Sequence, residues 1–326
     1  MSGGNPTALD ELTVVVRSLS LAEGTRFNYA GICRSFGDFC CLFGLSATPA
    51  KAETLVRYVA YSVVVCRRSI GTIRNHLSAI RRAHLEHGFS LPTPSEFFPL
   101  AEVIRGARRF ASRPVNKKLP IHPVLLSRLA SQVPFGSPLR TLFLFLFVTF
   151  SRLASVIPAG RIQEFRVKDH LSWGDVKFCR NGVEVSLTKT KTIQCQERVL
   201  SFFVPYLPKK SLCLAANLGE WHRLCLDTAP HSPVFVCLSQ GVFVPMTRQR
   251  VDIVFKGALV LACEDYRRFG WSSFRRGAAT SYYLATGDVE MLRAQGDWQS
   301  LAYREYLSLP SYARSGMAEV LLGRLE

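Results

Sequence analysis

Three prolines fall within the twelve residues Ser112–Pro123, SRPVNKKLPIHP. Proline has no backbone N–H to donate and its ring fixes φ, so neither a helix nor a central strand can run through this stretch. The chain must therefore fold as two pieces joined here. The expected domains are residues 1–111 and 124–326, with 112–123 as the linker. Each piece is long enough to close a core of its own, since domains average about 150 residues.

The two pieces carry different periodicities. Upstream, apolar residues recur at helical spacing: Phe27, Ile32, Phe36 and Phe39 within Ala22–Leu45, then Leu55, Val59, Val63 and Val64 within Ala50–Cys66. Ser69–His87 opens with Ser and Thr as cap candidates, and Phe98–Phe110 is a further helix that gathers Arg105, Arg108 and Arg109 near its end. Downstream, helices near Pro123–Val133 and Leu139–Phe150 precede a stretch with strand period. Val183, Val185 and Leu187 alternate there with Glu184, Ser186 and Thr188. Asp175–Phe178 and Arg198–Val204 are the expected neighbouring strands, and Lys189–Glu197 the turn. From Leu212 the chain reads as helical to its end, through Arg248–Cys263 and Phe274–Thr286. The expected class is mainly α with a small antiparallel β-sheet (α+β), a helical domain ahead of a mixed one.

Lys and Arg number 41 against 24 Asp and Glu, a net charge of +17. Such an excess repels itself in a compact chain, and a polyanion relieves it. Nucleic acid is the expected partner, because a long basic surface gains affinity by releasing phosphate counterions, with general solubility or attraction to an anionic membrane as the other readings of the charge. The candidate contacts are Arg26, Arg74, Arg81, Arg82, Lys117, Lys118 and Arg248, with His76 on the same stretch as Arg74–Arg82. Solvated helix faces and ordinary linkers carry such residues too. Hydrophobic residues make up 48% and charged residues 20%, which excludes a disordered polyelectrolyte. The ten cysteines form no C-x-x-C pair and no Cys/His cluster with zinc spacing, so no metal is expected. Met1–Asp10 is polar and Gly-rich without secretory character, which makes reduced thiols the expectation. Leu142–Phe150, LFLFLFVTF, has nine apolar-rich residues, where a membrane span needs about twenty. It reads as a buried core helix.

Five places in the downstream piece suit phosphate chemistry together. Arg152 follows the buried helix, where a guanidinium can be held rigidly and bind two oxygens of one phosphate. Lys191 lies in the expected turn and could protonate a departing oxygen; Lys189, two residues away, points to the same side and is its rival. Ser272 and Arg275 in WSSFRRGAATSYY share a helix face, Ser272 or Ser273 could cap that helix, and Arg276 adjoins. Trp298 in GDWQSLAYREYL can wall a site and offer one N–H, though a tryptophan is more often core. Tyr306 is the candidate nucleophile, with Tyr303 and Tyr312 nearby in sequence. A phenol needs cationic neighbours to attack at neutral pH, and those neighbours would also hold the charge of a five-coordinate phosphorus.

The order Arg, Lys, S-x-x-R, Trp, Tyr behind a basic helical domain resembles the tyrosine recombinase family, which includes phage integrases. It is closer still to the recombinases of DIRS-type retrotransposons and related eukaryotic mobile elements. Where those carry R-x-S-N-L-x-P, this chain has RLASVIP; for T-K-T-x-Q it has TKTIQ; for H-S-F-R-R-G-G-A-T it has SSFRRGAAT. For G-x-W-x-S-x-A-x-x-x-Y it has GDWQSLAYREY, and TIRNHLSAIR is similar to the N-terminal T-I-x-x-x-L-S-A-I-R pattern. The resemblance spans Thr25 to Leu307. It implies that Arg152 and Arg275 are the catalytic arginines, Lys191 the hairpin lysine, Trp298 a phosphate donor and Tyr306 the nucleophile of a 3′-phosphotyrosine link. It implies further a homo-tetramer on two DNA sites, exchange of C-terminal segments between protomers, no metal or other cofactor, and a nuclear location. One departure matters: Ser272 stands where the family has His, and a hydroxyl cannot serve as an imidazole acid/base. The resemblance, which implies double-stranded DNA as the partner, therefore leaves three functions open: an active recombinase, a DNA-binding protein of the same fold with impaired cleavage, and a topoisomerase-like enzyme that relaxes supercoils without a specific site. Ser155 stands where many integrases have Glu, but the eukaryotic relatives lack it as well.

Overall fold

The computed structural model describes residues 6–111, 117–195, 197–207 and 211–309. They fall into two compact units, Met1–Val115 and Asn116–Glu326. The fold is mainly α with small antiparallel β-sheets.

The first unit is helical throughout: α1 (Pro6–Ser18), α2 (Glu23–Leu42), α3 (Ala52–Val64), α4 (Ile70–Glu86) and α5 (Phe98–Phe110). Helix α3 packs on α5 and α2 on α4. Their apolar stripes close over Phe36, Phe39, Leu55, Tyr58, Ile73, Ile80 and Leu100, all buried. The start of α4 is fixed by Ser69, whose hydroxyl accepts the Thr72 N–H at 3.1 Å and so satisfies one of the orphan donors of the first turn. Helix α1 adds to the sequence reading: Leu9, Leu12 and Val16 fall at helical spacing, yet all three are exposed. Phe27, expected in the core, is exposed. His76 also departs from expectation. It is buried, with Nδ1 2.7 Å from the Tyr58 hydroxyl, and burial followed by the Arg68 charge holds its pKa below the ordinary range. A histidine so placed belongs to the core and offers nothing to a phosphate.

In the second unit, α6 (Pro123–Ser131) and α7 (Pro138–Val148) are followed by strands β1 (Val176–Cys179), β2 (Gly182–Leu187) and β3 (Leu200–Pro205) in the order β1-β2-β3. The strand-period reading holds, with Val183, Val185 and Leu187 buried on one face. Then come α8 (Leu214–Leu224), a two-stranded hairpin of β4 (Val236–Ser239) and β5 (Val242–Pro245), α9 (Arg248–Leu261), α10 (Ser272–Thr286) and α11 (Val289–Gln295). That hairpin corrects the reading of an all-helical stretch after Leu212. Its turn is Gln240-Gly241, with φ of 50° and 78°, the left-handed pair that two-residue hairpins require. The signal was legible as Q-G between two apolar runs.

The apolar run folds as expected: Leu142, Phe143, Leu144, Phe145 and Leu146 of α7 are all at most 1% exposed. No helix among the described residues is long and apolar enough to cross a membrane.

Of the expected linker, residues 112–116 lie outside the described residues. The remainder behaves as part of the second unit. The Leu119 N–H donates to the Arg268 carbonyl at 2.8 Å and the Ile121 N–H to the Ser273 carbonyl at 3.0 Å, while Ile121 is fully buried. This close approach needs Gly277 of α10, because a Cβ there would lie 1.8 Å from the Ile121 carbonyl oxygen. Gly277→Ala should therefore lower stability by roughly 1–3 kcal/mol, the usual cost of forcing atoms into a packed core. The check is a melting temperature lowered by at least several degrees.

Candidate active site

Helix α7 stops where the site begins. The Thr149 hydroxyl donates to the Phe145 carbonyl at 2.7 Å and lies within hydrogen-bond distance of the Ser151 hydroxyl, also at 2.7 Å, which turns the chain out of the helix. Phe150 then takes a left-handed φ of 53°. Such a conformation costs a non-glycine residue about 1–3 kcal/mol, and it clusters where geometry serves a site. Here it turns the Phe150 carbonyl toward α10, where Arg275 Nη1 donates to it at 2.5 Å. Arg152 follows in extended conformation ahead of a 3-10 turn at Leu153–Ser155. Its half-buried side chain has no hydrogen-bond or ion-pair partner among the described residues.

Arg275 is 4% exposed. Its Nη2 donates to the Gly296 carbonyl, and its Nε–H has no partner among the described residues. The guanidinium carbon lies 4.2 Å from the ring centroid of Trp298 and 5.0 Å from that of Tyr306. Burial first, and the Arg152 charge second, pull its pKa down to about 10. That is still well above neutral, so the group stays charged. A buried cation held mainly by neutral carbonyls is short of a counter-charge.

Arg152, Ser272, Arg275 and Tyr306 line one cavity of about 410 Å³, together with Lys118, Arg248 and Trp271. Four cationic side chains and no carboxylate face it, which suits a phosphodiester. Ser272 occupies the first position of α10 and is exposed. It does not cap the helix, and neither does Ser273: the N-cap position is Trp271, and the Ser273 hydroxyl accepts the Gly270 N–H at 3.0 Å. Tyr306 ends a 3-10 turn at Leu301–Glu305 and is half-buried. Its backbone is held to α10 through the Thr280 hydroxyl, which donates to the Tyr306 carbonyl at 3.4 Å and accepts the Ser308 N–H at 3.0 Å. Of its rivals, Tyr303 is buried and Tyr312 lies outside the described residues. Arg276 donates to the Glu305 carbonyl at 2.7 Å and stands farther from Tyr306, at 6.0 Å.

Two expected members are not in the cavity wall. Trp298 is 5% exposed and lies behind it, packed on Phe150 and Tyr306 at centroid distances of 6.2 and 5.2 Å. Its indole N–H is buried with no partner among the described residues. The indole ring lies under the Arg275 guanidinium and packs at a tilt of 46° against the Tyr306 ring. Lys191 is exposed, on the segment between β2 and β3. The adjacent Thr190 lines a smaller cavity with Arg152 and Arg275, so this segment runs beside the site. Lys189 is paired with Asp169 at 2.6 Å.

The expected DNA contacts divide. Lys118 and Arg248 line the cavity itself, a place the sequence could not assign. Lys118 also donates to the Arg267 carbonyl at 2.5 Å, Arg248 stands 3.8 Å from Asp252, and Lys117 pairs with Glu305 at 2.7 Å. In the first unit Arg26 and Arg74 are exposed. Arg81 donates to the Leu91 carbonyl at 3.2 Å, and Arg82 pairs with Glu86 at 2.7 Å. Arg26 and Arg82 share a cavity of about 260 Å³ with Arg17.

This fold is that of the tyrosine recombinases. Among solved structures, the Tn1549 transposon integrase in complex with circular intermediate DNA aligns with a TM-score of 0.58 at 12% identity, covering 94% of this chain and 97% of that one. A lambda integrase dimer bound to a COC′ core site aligns with a TM-score of 0.56 at 14% identity, covering 92% and 94%. In sequence, the chain is 26% identical over 281 residues to an integrase/recombinase XerD homolog of Selenomonas ruminantium, across 84% of this chain and 77% of the relative. No family model matches the chain.

Proposed function

We propose that the chain is a site-specific DNA recombinase that cleaves and rejoins strands through a 3′-phosphotyrosine intermediate. The observation that carries this reading is the single cavity where Arg152, Ser272, Arg275 and Tyr306 meet, lined by four cations and no acid. In the proposed step the Tyr306 oxygen bonds to phosphorus, its proton passes to water, and the bond from phosphorus to the 5′ oxygen breaks. The 5′ oxygen takes its proton from Lys191. Arg152 and Arg275 hold the non-bridging oxygens, whose charge grows toward the five-coordinate state. The tyrosyl ester conserves the phosphodiester energy, so rejoining runs the same steps backward without ATP, metal or other cofactor.

The sequence motifs further suggest a mobile-element enzyme similar to those of DIRS-type retrotransposons, working in the nucleus. A homo-tetramer on two DNA sites is the assembly proposed here, and a lambda integrase tetramer bound to a Holliday junction is among the structures of similar fold, with a TM-score of 0.58.

Incubating the protein with a nicked duplex that loses the fragment beyond the cut traps the covalent species for a denaturing gel. The expected result is an adduct that disappears in Tyr306→Phe. Ser272 favours a second reading, a DNA-binding protein of this fold with impaired cleavage. Duplex bound in a shift assay, with no adduct from any nicked substrate, would establish that reading instead. Ser272 sits exposed at the cavity, where an imidazole has room. Ser272→His is thus expected to raise the cleavage rate by about tenfold or more, within the roughly 10²–10⁴ that a positioned acid/base contributes. A lower rate in single-turnover assays would mean that the pocket has adapted to serine.

A further inference from the structure

Asp297 has no part in the chemistry described so far, yet it joins two pieces of the site. Its carboxylate pairs with Arg198 at 2.6 Å and accepts the Thr192 hydroxyl. Its side chain is 9% exposed, so the pair is shielded from solvent on the acid's side. Thr192 and Arg198 both belong to the segment between β2 and β3 that bears Lys191. Asp297 itself lies between Gly296, whose carbonyl accepts from Arg275, and Trp298, on which Arg275 stacks. One carboxylate thus fastens the lysine-bearing segment to the arginine–tryptophan stack.

The segment's other bonds are mostly local: Thr190 N–H to the Ile193 carbonyl at 3.0 Å, and the Gln194 side chain to the Lys191 carbonyl at 3.0 Å. Ile193 is fully buried and plugs the segment from below. Lys191 is therefore flanked by Thr190, beside the two arginines, and by Thr192, held on Asp297. Its backbone is fixed next to the cavity while its four-carbon stem remains free to turn toward a phosphate.

We propose that Asp297 is a positioning residue for Lys191, holding the β2–β3 segment in place so that the ammonium can reach the departing 5′ oxygen. The proposal rests on the recombinase reading and deepens it. A residue that merely held the fold together would impair every substrate alike. One that acts through the proton donor should matter only when the leaving group needs a proton.

Two nicked duplexes separate these cases, one with an ordinary scissile phosphodiester and one with sulfur as the bridging 5′ atom. A thiolate departs without being protonated, so its release does not depend on Lys191. Asp297→Asn removes the charge and keeps a residue tolerant of the left-handed φ of 52° found there. The full-length Asp297→Asn protein is expected to cleave the ordinary duplex about 10–100-fold more slowly, part of the roughly 10²–10⁴ that a general acid supplies. On the sulfur duplex it should match the wild type. Arg198→Ala should give the same pattern, and Asp297→Asn added to Lys191→Ala should slow cleavage no further. Equal slowing on both duplexes, or no slowing on either, would overturn the positioning role while the wild type still reacts. If the wild type itself forms no adduct on either duplex, it is the recombinase reading that falls.

Discussion

Arg275→Lys is expected to slow strand cleavage by about 10²–10³-fold, the usual loss when one preorganised donor to a developing oxyanion is removed. The reason lies in how the guanidinium is used. Nη1 and Nη2 already donate to the carbonyls of Phe150 and Gly296 and aim the group, while the Nε–H is still unpartnered among the described residues. A planar fork can do both things at once, anchoring to the protein and presenting further donors to a phosphate. An ammonium has three donors around one point and cannot span both carbonyls while also facing the cavity. It would lose the stacking on Trp298 as well, where the guanidinium lies 4.2 Å from the ring centroid. Single-turnover adduct formation measures the loss, and a melting curve separates a lost site from a lost fold. A rate within threefold of wild type would mean that Arg275 serves the core of the unit and that another cation holds the phosphate.

The pKa of Arg275, drawn down to about 10, fits the same account. For a base depressed in the folded state, the folded chain holds its proton less firmly than the unfolded chain does. The charge therefore costs stability at neutral pH, and that cost is relieved only as pH rises through about 10. An anion in the cavity relieves it at neutral pH. Binding of a phosphodiester should thus raise the melting temperature, and Arg275→Lys should weaken that stabilisation.

Much of this arrangement was legible in the residues. Helical and strand periods located elements such as α2, α3 and β2, because each buries one face and the core imposes its period on the sequence; β1, with no buried residue, is legible only as a neighbour of β2. The proline-rich stretch lies at the division between the two units, and packing against α10 draws its second half into the second unit. Arg152, Ser272, Arg275 and Tyr306 were read from their spacing and from family motifs, and the fold brings them to one cavity. What the sequence could not convey was direction. Trp298 is equally a wall or a support in the sequence, and the close packing of Gly296 against its ring is a contact that only the fold shows. A Cβ on Gly296 would stand 1.9 Å from the indole. Lys118 and Arg248 were visible only as charge, since nothing local says that a basic residue after a proline-rich break turns into the same cavity as one at a helix start. Asp297 was passed over because a carboxylate among cations reads as ordinary surface chemistry. Its partners are Arg198, 99 residues away in the chain, and Thr192, 105 residues away. The β4–β5 hairpin lies outside the sequence reading although its turn residues announce it, because β4 has one buried residue and β5 none, so no core face imposes an alternation on them.

Between the two lysines of TKTKTIQ the fold suggests a large asymmetry. Lys191→Ala is expected to slow cleavage by about 10²–10⁴-fold, the contribution of a general acid, whereas Lys189→Ala should leave the rate nearly unchanged. Lys189 already faces a carboxylate: its ammonium lies 2.6 Å from Asp169. To serve a phosphate it would have to leave that partner and strand an acid beside the nucleic acid. Breaking the pair costs little by itself, because an ion pair on an exposed surface contributes about 0–1 kcal/mol. Lys191 has no such commitment. It is exposed, without a side-chain partner among the described residues, on a segment held at Thr192 by Asp297 and at Ile193 by the core. Its reach is what remains to be used when DNA fills the cavity. The comparison is made by single-turnover cleavage of one nicked duplex by each variant at one pH, with adduct yield at long times confirming that both proteins are intact. The opposite order of effects would show that the segment shifts by two residues when DNA binds, releasing Asp169 and bringing Lys189 to the phosphate in place of Lys191.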